Sequence, residues 1–302
     1  MQKLYMGATA VVTITGSLVL ASCSNEDPVV ESDITVQYAA QVNGADFTCG
    51  QIYTGIGTGG DDYAVNDFRL YVHDAYIYDE ARNQQYPVEL NQDGVWQYEN
   101  VALLDFEDGC TTGTAETNTV LAGKVTAPAS VDLADTQVCF TVGVPEDKNH
   151  LNVNDVDAVV SPLNDSTLYW AWKIGYKYVR IDGVADPSGA ANAFVLHLGA
   201  QGCPMTGEMT APPESACTVP NTFQACIANF DIENDVIAVD PAFVFEGNDV
   251  TSNHGAKPGC MSFVDDNDCE EIMPRLSLDY EYGRISGTES TYTGGQRLFS
   301  KQ

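Results

Sequence analysis

The sequence predicts an all-β fold: a disulfide-stapled, antiparallel β-sandwich-like domain with long loops and little helix. Three observations carry this expectation. Short runs rich in Val, Ile, Tyr, Phe and Thr, bounded by Gly, Asn, Asp and Pro, recur along the whole chain. Helical patterning is sparse, with Cys269–Leu276 the best candidate. Of nine cysteines no two form a CxxC pair. Eight of them make an even set that suits disulfides in an oxidising compartment better than a thiolate zinc site.

Taken in order, residues 1–22 are expected to be an export signal. Lys3 supplies a positive start, and the apolar stretch Met6 to Leu20 is too short for a bilayer span. Leu20-Ala21-Ser22-Cys23 resembles a bacterial lipobox, which implies lipidation of Cys23, and the Ser24 that follows favours the outer membrane. Residues 23–33 then read as a lipidated cysteine and polar tether, and 34–302 as one folded domain. Its expected strands are Ile34–Val42, Phe68–Tyr78, Val95–Leu104, Val120–Ala127, Thr136–Val144, Leu168–Ile181, Ala193–Leu198, Thr222–Ile232 and Val236–Val239. Eight cysteines allow roughly a hundred pairings. Proximity and strand context favour Cys49–Cys110, Cys139–Cys226, Cys203–Cys217 and Cys260–Cys269.

A formal charge of −30, from 43 acids against 13 bases, argues against nucleic acid or an anionic surface as partner. It does not by itself make a calcium site. Asp265-Asp266-Asn267-Asp268 and Asn152 to Asp157 lack the EF-hand ligand spacing with its turn glycine and read as solvated loops.

The stretch Ser166 to Cys203 concentrates two of three tryptophans and one of four histidines. As one long strand it would place Trp170, Trp172, Ile174, Tyr176 and Tyr178 on one face and Lys173 and Lys177 on the other; a helix over Trp170–Tyr178 is the local alternative. His197 falls on an otherwise apolar face with Ala193 and Val195, where a buried imidazole needs a partner. His73 lies in a convincing strand, His150 just past another, and His254 in a loop, read as a surface residue. Trp96 reads as core. No two histidines stand at the i, i+2 or i, i+4 spacing of a local metal pair, so any shared site must be assembled by the fold.

Several motifs are more specific: Phe47-x-Cys49-Gly50, Asp67 to Asp74 (DFRLYVHD), Leu103 to Gly109 with Gly113, Gly143-Val144-Pro145 with Asn149-His150, Trp170-x-Trp172-Lys173-x-Gly175-Tyr176-Lys177-Tyr178-x-Arg180-Ile181-Asp182, His197-Leu198-Gly199-x-x-Gly202-Cys203, and Gly259-Cys260-Met261-Ser262. In this order they resemble the MbnP family of exported copper-binding proteins, over Phe47 to Cys269. The resemblance implies copper held by histidine imidazoles together with a kynurenine made from tryptophan by a partner dihaem enzyme of the MbnH type, related to MauG. Carried over by motif, His73, His150 and His197 are the metal ligands, and Trp172, with Trp170 as the alternative, is the residue oxidised. Two departures stand out: Cys139 and Cys226 are additional to the family framework, and Pro145-Glu146-Asp147-Lys148 replaces an apolar stretch before His150.

Copper is thus the expected cofactor, without catalysis by this chain. The expected location is the bacterial cell envelope, as an outer-membrane lipoprotein facing periplasm or cell surface. An enzyme is disfavoured, because neither GxSxG nor HExxH occurs. The runner-up is a structural or adhesive acidic surface lipoprotein without a functional metal site.

Overall fold

The structure is a computed structural model that describes residues 27–110, 116–155, 160–255, 257–263, 265–280 and 295–302. The expected signal peptide and the lipidated Cys23 lie outside the described residues. Strands dominate, and fourteen of them belong to one hydrogen-bonded network. The organising element is the strand Asp61–Asp79, which pairs in turn with Val179–Ala185, Val101–Asp105, Thr136–Val142 and Gln84–Leu90.

The network folds back on itself through the strand Gln84–Leu90. Its first half pairs with Asp61–Asp79 and its second half with Val120–Pro128, as in Tyr76↔Pro87 and Val88↔Val125. Pro87 discourages a strand reading of this stretch, because it cannot donate to a ladder; here it sits where the strand changes neighbour. Val29–Val42, Val236–Val239 and Phe299–Lys301 complete the second layer. The layers meet through an apolar core in which Tyr38 of one packs edge-on to Phe140 of the other, 5.7 Å between centroids. Pairing is antiparallel, as expected, except that Val29–Val42 runs parallel to Val236–Val239.

Half-buried strands keep the alternation that predicts them: Val120–Pro128 and Val179–Ala185 bury every second residue. The helix expected at Cys269–Leu276 spans Cys269–Arg275. Disulfides join Cys49–Cys110, Cys139–Cys226, Cys203–Cys217 and Cys260–Cys269. Cys139 and Cys226 face each other directly in paired strands.

Some expectations need correction. The first strand begins at Val29, inside the stretch read as tether. Val95–Leu104 is two strands, Gln97–Tyr98 and Val101–Asp105, separated by a turn with Glu99 in the left-handed region. Trp96 is only partly buried, against a smaller apolar cluster.

The largest correction concerns Leu168–Ile181, which is neither one strand nor a helix. A short 3-10 turn, Ser166–Leu168, is capped by the Asp165 side chain, and a tight hairpin joins Tyr169–Ala171 to Gly175–Tyr176 before Val179–Ala185 begins. Gly175 has φ +90°, a conformation open to glycine, and any Cβ there would collide with the Asn149 side chain. That amide also accepts from Tyr176 N at 3.0 Å. The supposed aromatic ladder is therefore broken at the turn, and its members go to different places.

Candidate metal site

Both faces of Asp61–Asp79 are covered, so the strand is buried almost throughout. Phe68, Leu70 and Val72 enter the main core. The alternate residues Arg69, Tyr71 and His73 face the other way, where Tyr71 joins Val144, Leu163, Leu168, Tyr176, Tyr178 and the Cys203–Cys217 pair in a second cluster. This second face carries every histidine expected to bind metal.

Arg69 and Arg180 carry the ion pairs that lead to His197 on that face, with Lys177 Nζ beside them on Thr167 O. Arg69 binds Asp67 through two nitrogens and reaches Asp165 at 2.8 Å; Arg180 bridges Asp67 at 3.1 Å and Asp182 at 2.7 Å. Asp182 then holds His197, with Nε2 2.5 Å from Oδ1. Burial raises the Asp182 pKa, but the His197 and Arg180 contacts outweigh it and bring the carboxyl to about 2. Since Nε2 donates to this carboxylate, Nδ1 bears the lone pair of the neutral ring; it is buried and meets no hydrogen-bond partner. The Trp170 ring lies beside it, 6.5 Å between centroids.

His73 repeats the arrangement. The pairing with Thr136–Val142 shifts register between His73 and Tyr76, and Asp74 takes φ +49°. That turn returns the Asp74 carboxylate to its neighbour: it accepts from His73 Nδ1 at 2.8 Å and from Asn100 Nδ2 at 2.6 Å. His73 Nε2 is left buried without a partner. Burial holds the His73 pKa below the ordinary imidazole value, against the opposing pull of Asp74.

His150 follows the short helix Glu146–Asn149. Its Nδ1 donates to Trp172 O at 3.0 Å, while Trp172 Nε1 donates to His150 O at 2.6 Å. A carbonyl can only accept, so Nδ1 carries the proton and Nε2 the lone pair. Nε2 lies 3.3 Å from Asn149 Nδ2 and 3.2 Å from Cys217 Sγ. His150 Nε2, Cys203 Sγ and Cys217 Sγ lie within 4.8 Å of one another, the one such group of His, Cys, Asp or Glu among the described residues. In the disulfide neither sulfur is a thiolate, so His150 is the group's only strong donor in this form.

Among the described residues, the compact group of candidate ligating atoms contains His150 but neither His73 nor His197. His197 pairs with Arg180, and Arg180 with Arg69, on the strand that also carries His73. The structure sets His150 with Trp172, His197 with Trp170, and His73 with Asp74. His254 takes no part; its Nδ1 is 2.8 Å from Asp268 and its side chain is half exposed.

Sequence reasoning missed Asp182 as the partner of His197. The signal was present, since a hairpin pairing Val179–Ala185 with Asn192–Leu198 sets Asp182 diagonal to His197 on the same face. The contact of His150 with Cys217, 67 residues away, left no local trace.

A family model described as MbnP matches residues 31–262. The chain belongs to the MbnP family. Its structure is similar to "MbnP from Methylosinus trichosporium", with a TM-score of 0.75 and 28% identity, covering 90% of this chain and 98% of that one. No curated protein matches it. In this MbnP-family chain the donor set fits a borderline-to-soft transition metal: imidazole rings, each with one nitrogen held by a carboxylate or carbonyl, which leaves the other to a metal.

Proposed function

We propose that the protein is an exported, non-catalytic copper-binding protein. Copper is held by imidazoles drawn from His73, His150 and His197 together with a kynurenine formed from Trp172. A partner dihaem enzyme of the MbnH type makes that modification. The lipid on Cys23 anchors the chain to the outer membrane, facing periplasm or cell surface. The observation that carries this reading is the pair of buried, partnerless nitrogens, His73 Nε2 and His197 Nδ1, on rings whose other nitrogen is fixed by Asp74 and Asp182. A buried nitrogen without a partner costs about 1–3 kcal/mol, and a metal would remove that cost.

Bound copper would accept lone pairs from the imidazoles and the kynurenine, and this chain supplies and positions those donors. Asp74 and Asp182 fix ring orientation and leave the ligating nitrogen deprotonated. Opening the Trp172 indole would turn its donor-only N–H into an aniline nitrogen beside a carbonyl, next to the backbone that carries His150. Trp170 is the second reading for the modified residue, favoured by its position beside the His197 ring, 6.5 Å between centroids.

The test is mass analysis of protein produced with and without the haem enzyme, followed by Cu(I) titration against a competing chelator. A mass gain mapping to Trp172 is expected, with tighter copper binding after it. Equal affinity in a Trp170→Phe/Trp172→Phe double variant treated in the same way sinks the reading.

A further inference from the structure

We propose that reduction of the Cys203–Cys217 disulfide adds two thiolates beside His150 and so makes a three-donor site for a soft cation such as Cu(I), sharing His150 with the copper reading above. It rests on the copper reading only for the choice of metal. The geometry is already that of a three-donor group, with all three atoms within 4.8 Å and His150 Nε2 3.2 Å from Cys217 Sγ.

Each member is held by contacts other than the disulfide. Gln201 N donates to Val219 O at 2.8 Å, Val219 N returns to Gln201 O at 3.0 Å, and Thr218 N donates to Gly202 O at 3.3 Å. This ladder flanks both cysteines and keeps their Cα atoms near the present 3.9 Å when the sulfur–sulfur bond opens. Lys173 Nζ donates to Thr206 O and pins the start of the intervening loop. His150 is fixed at both ends by its exchange with Trp172, so Nε2 is the nitrogen left 3.2 Å from the sulfur, with Asn149 Nδ2 at 3.3 Å and Glu146 Oε1 at 3.7 Å as its other neighbours. The present contact cannot be a hydrogen bond from sulfur, because a disulfide sulfur has no proton to give.

The redox step needs an external dithiol. Its thiolate attacks one cystine sulfur, forming a mixed disulfide while the other sulfur leaves with the bonding electron pair. The second thiol of the reductant then closes onto the first, so the dithiol is oxidised to a disulfide and the cystine takes up two electrons and two protons. Metal binding releases those two protons, leaving two thiolates and a neutral imidazole, a donor set that selects Cu(I). The state of one disulfide would then decide whether His150 has sulfur partners.

The experiment compares untreated protein with protein reduced by a dithiol, using alkylation and peptide mass mapping to find which cysteines opened. Cd(II) and Cu(I) are the probes. Reduced protein with Cys203 and Cys217 open should gain sulfur-to-cadmium charge-transfer absorption and bind Cu(I) at least about tenfold more tightly. Both gains should vanish in Cys203→Ser/Cys217→Ser, and in protein never exposed to the haem enzyme His150→Gln should cut the reduction-dependent gain in Cu(I) affinity about tenfold. Should the serine variant not fold, reduced wild-type protein alkylated at these two positions serves instead and should show neither gain.

Retention of the cadmium signal in the double variant or the alkylated protein overturns the proposal, as does mapping that finds this pair closed whenever the signal appears. Failure of the histidine–kynurenine reading is a different result: no copper uptake by the enzyme-treated, disulfide-intact protein, with the cadmium measurement unaffected.

Discussion

The two faces of the strand Asp61–Asp79 are made by alternate residues of one sequence and behave as opposites. Phe68, Leu70 and Val72 meet only apolar neighbours in a core closed by both layers. Arg69, Tyr71 and His73 meet polar groups instead: Arg69 a set of carboxylates, Tyr71 the carbonyl of Pro162, His73 its own neighbour Asp74. The first face is finished when the chain folds. The second keeps a buried imidazole nitrogen with nothing to bind, and such groups are expected at functional sites because packing alone does not favour them.

Breaking the ionic side should cost the most. Arg69→Leu leaves Asp67 and Asp165 without their main cation and should lower unfolding free energy by about 3–5 kcal/mol, measured by urea titration. Leu70→Ala, on the opposite face, should cost about 2–5 kcal/mol by cavity formation and leave metal affinity unchanged. If both variants alter copper binding equally, the two faces are not independent.

His73→Ala should do the reverse of Leu70→Ala. Unfolding free energy is expected to stay within about 1 kcal/mol, since the packing lost is offset by removal of a partnerless nitrogen, while Cu(I) affinity falls at least about tenfold. Asp74→Ala should lower affinity by about 10–100-fold, acting through the ring it positions, and chelator competition reads both.

The smallest effect is one of pH. Burial holds the His73 pKa down, with Asp74 opposing. Its contribution to stability is therefore whole above about pH 6.5 and is lost as pH falls below that value. Asp105 has the opposite sign. Burial, against the pull of Arg69, lifts its carboxyl to about 7, so its penalty is full above that pH and relieved as pH falls toward the ordinary carboxylate range. Asp105→Asn should be more stable than the parent by about 1–2 kcal/mol near pH 8 and equal to it near pH 4. Equal stability at both values would mean that Asp105 is not penalised by its surroundings.

The contrast between the faces is only half legible in the chain. Alternation in Val120–Pro128 and Val179–Ala185 announces strands because one side meets core and the other does not. Asp61–Asp79 lacks that alternation because both sides are covered, and its β-branched and aromatic content carries the reading instead. Gln84–Leu90 was missed because Pro87 reads as a breaker until the change of neighbour is known. The hairpin around Gly175 was missed because its cause, the Asn149 side chain, arrives from 26 residues upstream.

Sequence by itself determined the β class, the strand carrying His73, and the residue types able to hold a metal, because pattern and composition are local properties. The ordered motifs carried the resemblance to the MbnP family. Tertiary structure alone decided which groups meet: His197 with Asp182, His73 with Asp74 and Asn100 around it, and His150 with the Cys203–Cys217 sulfurs. Those outcomes depend on strand order and register, where a shift of one residue turns every side chain to the opposite face.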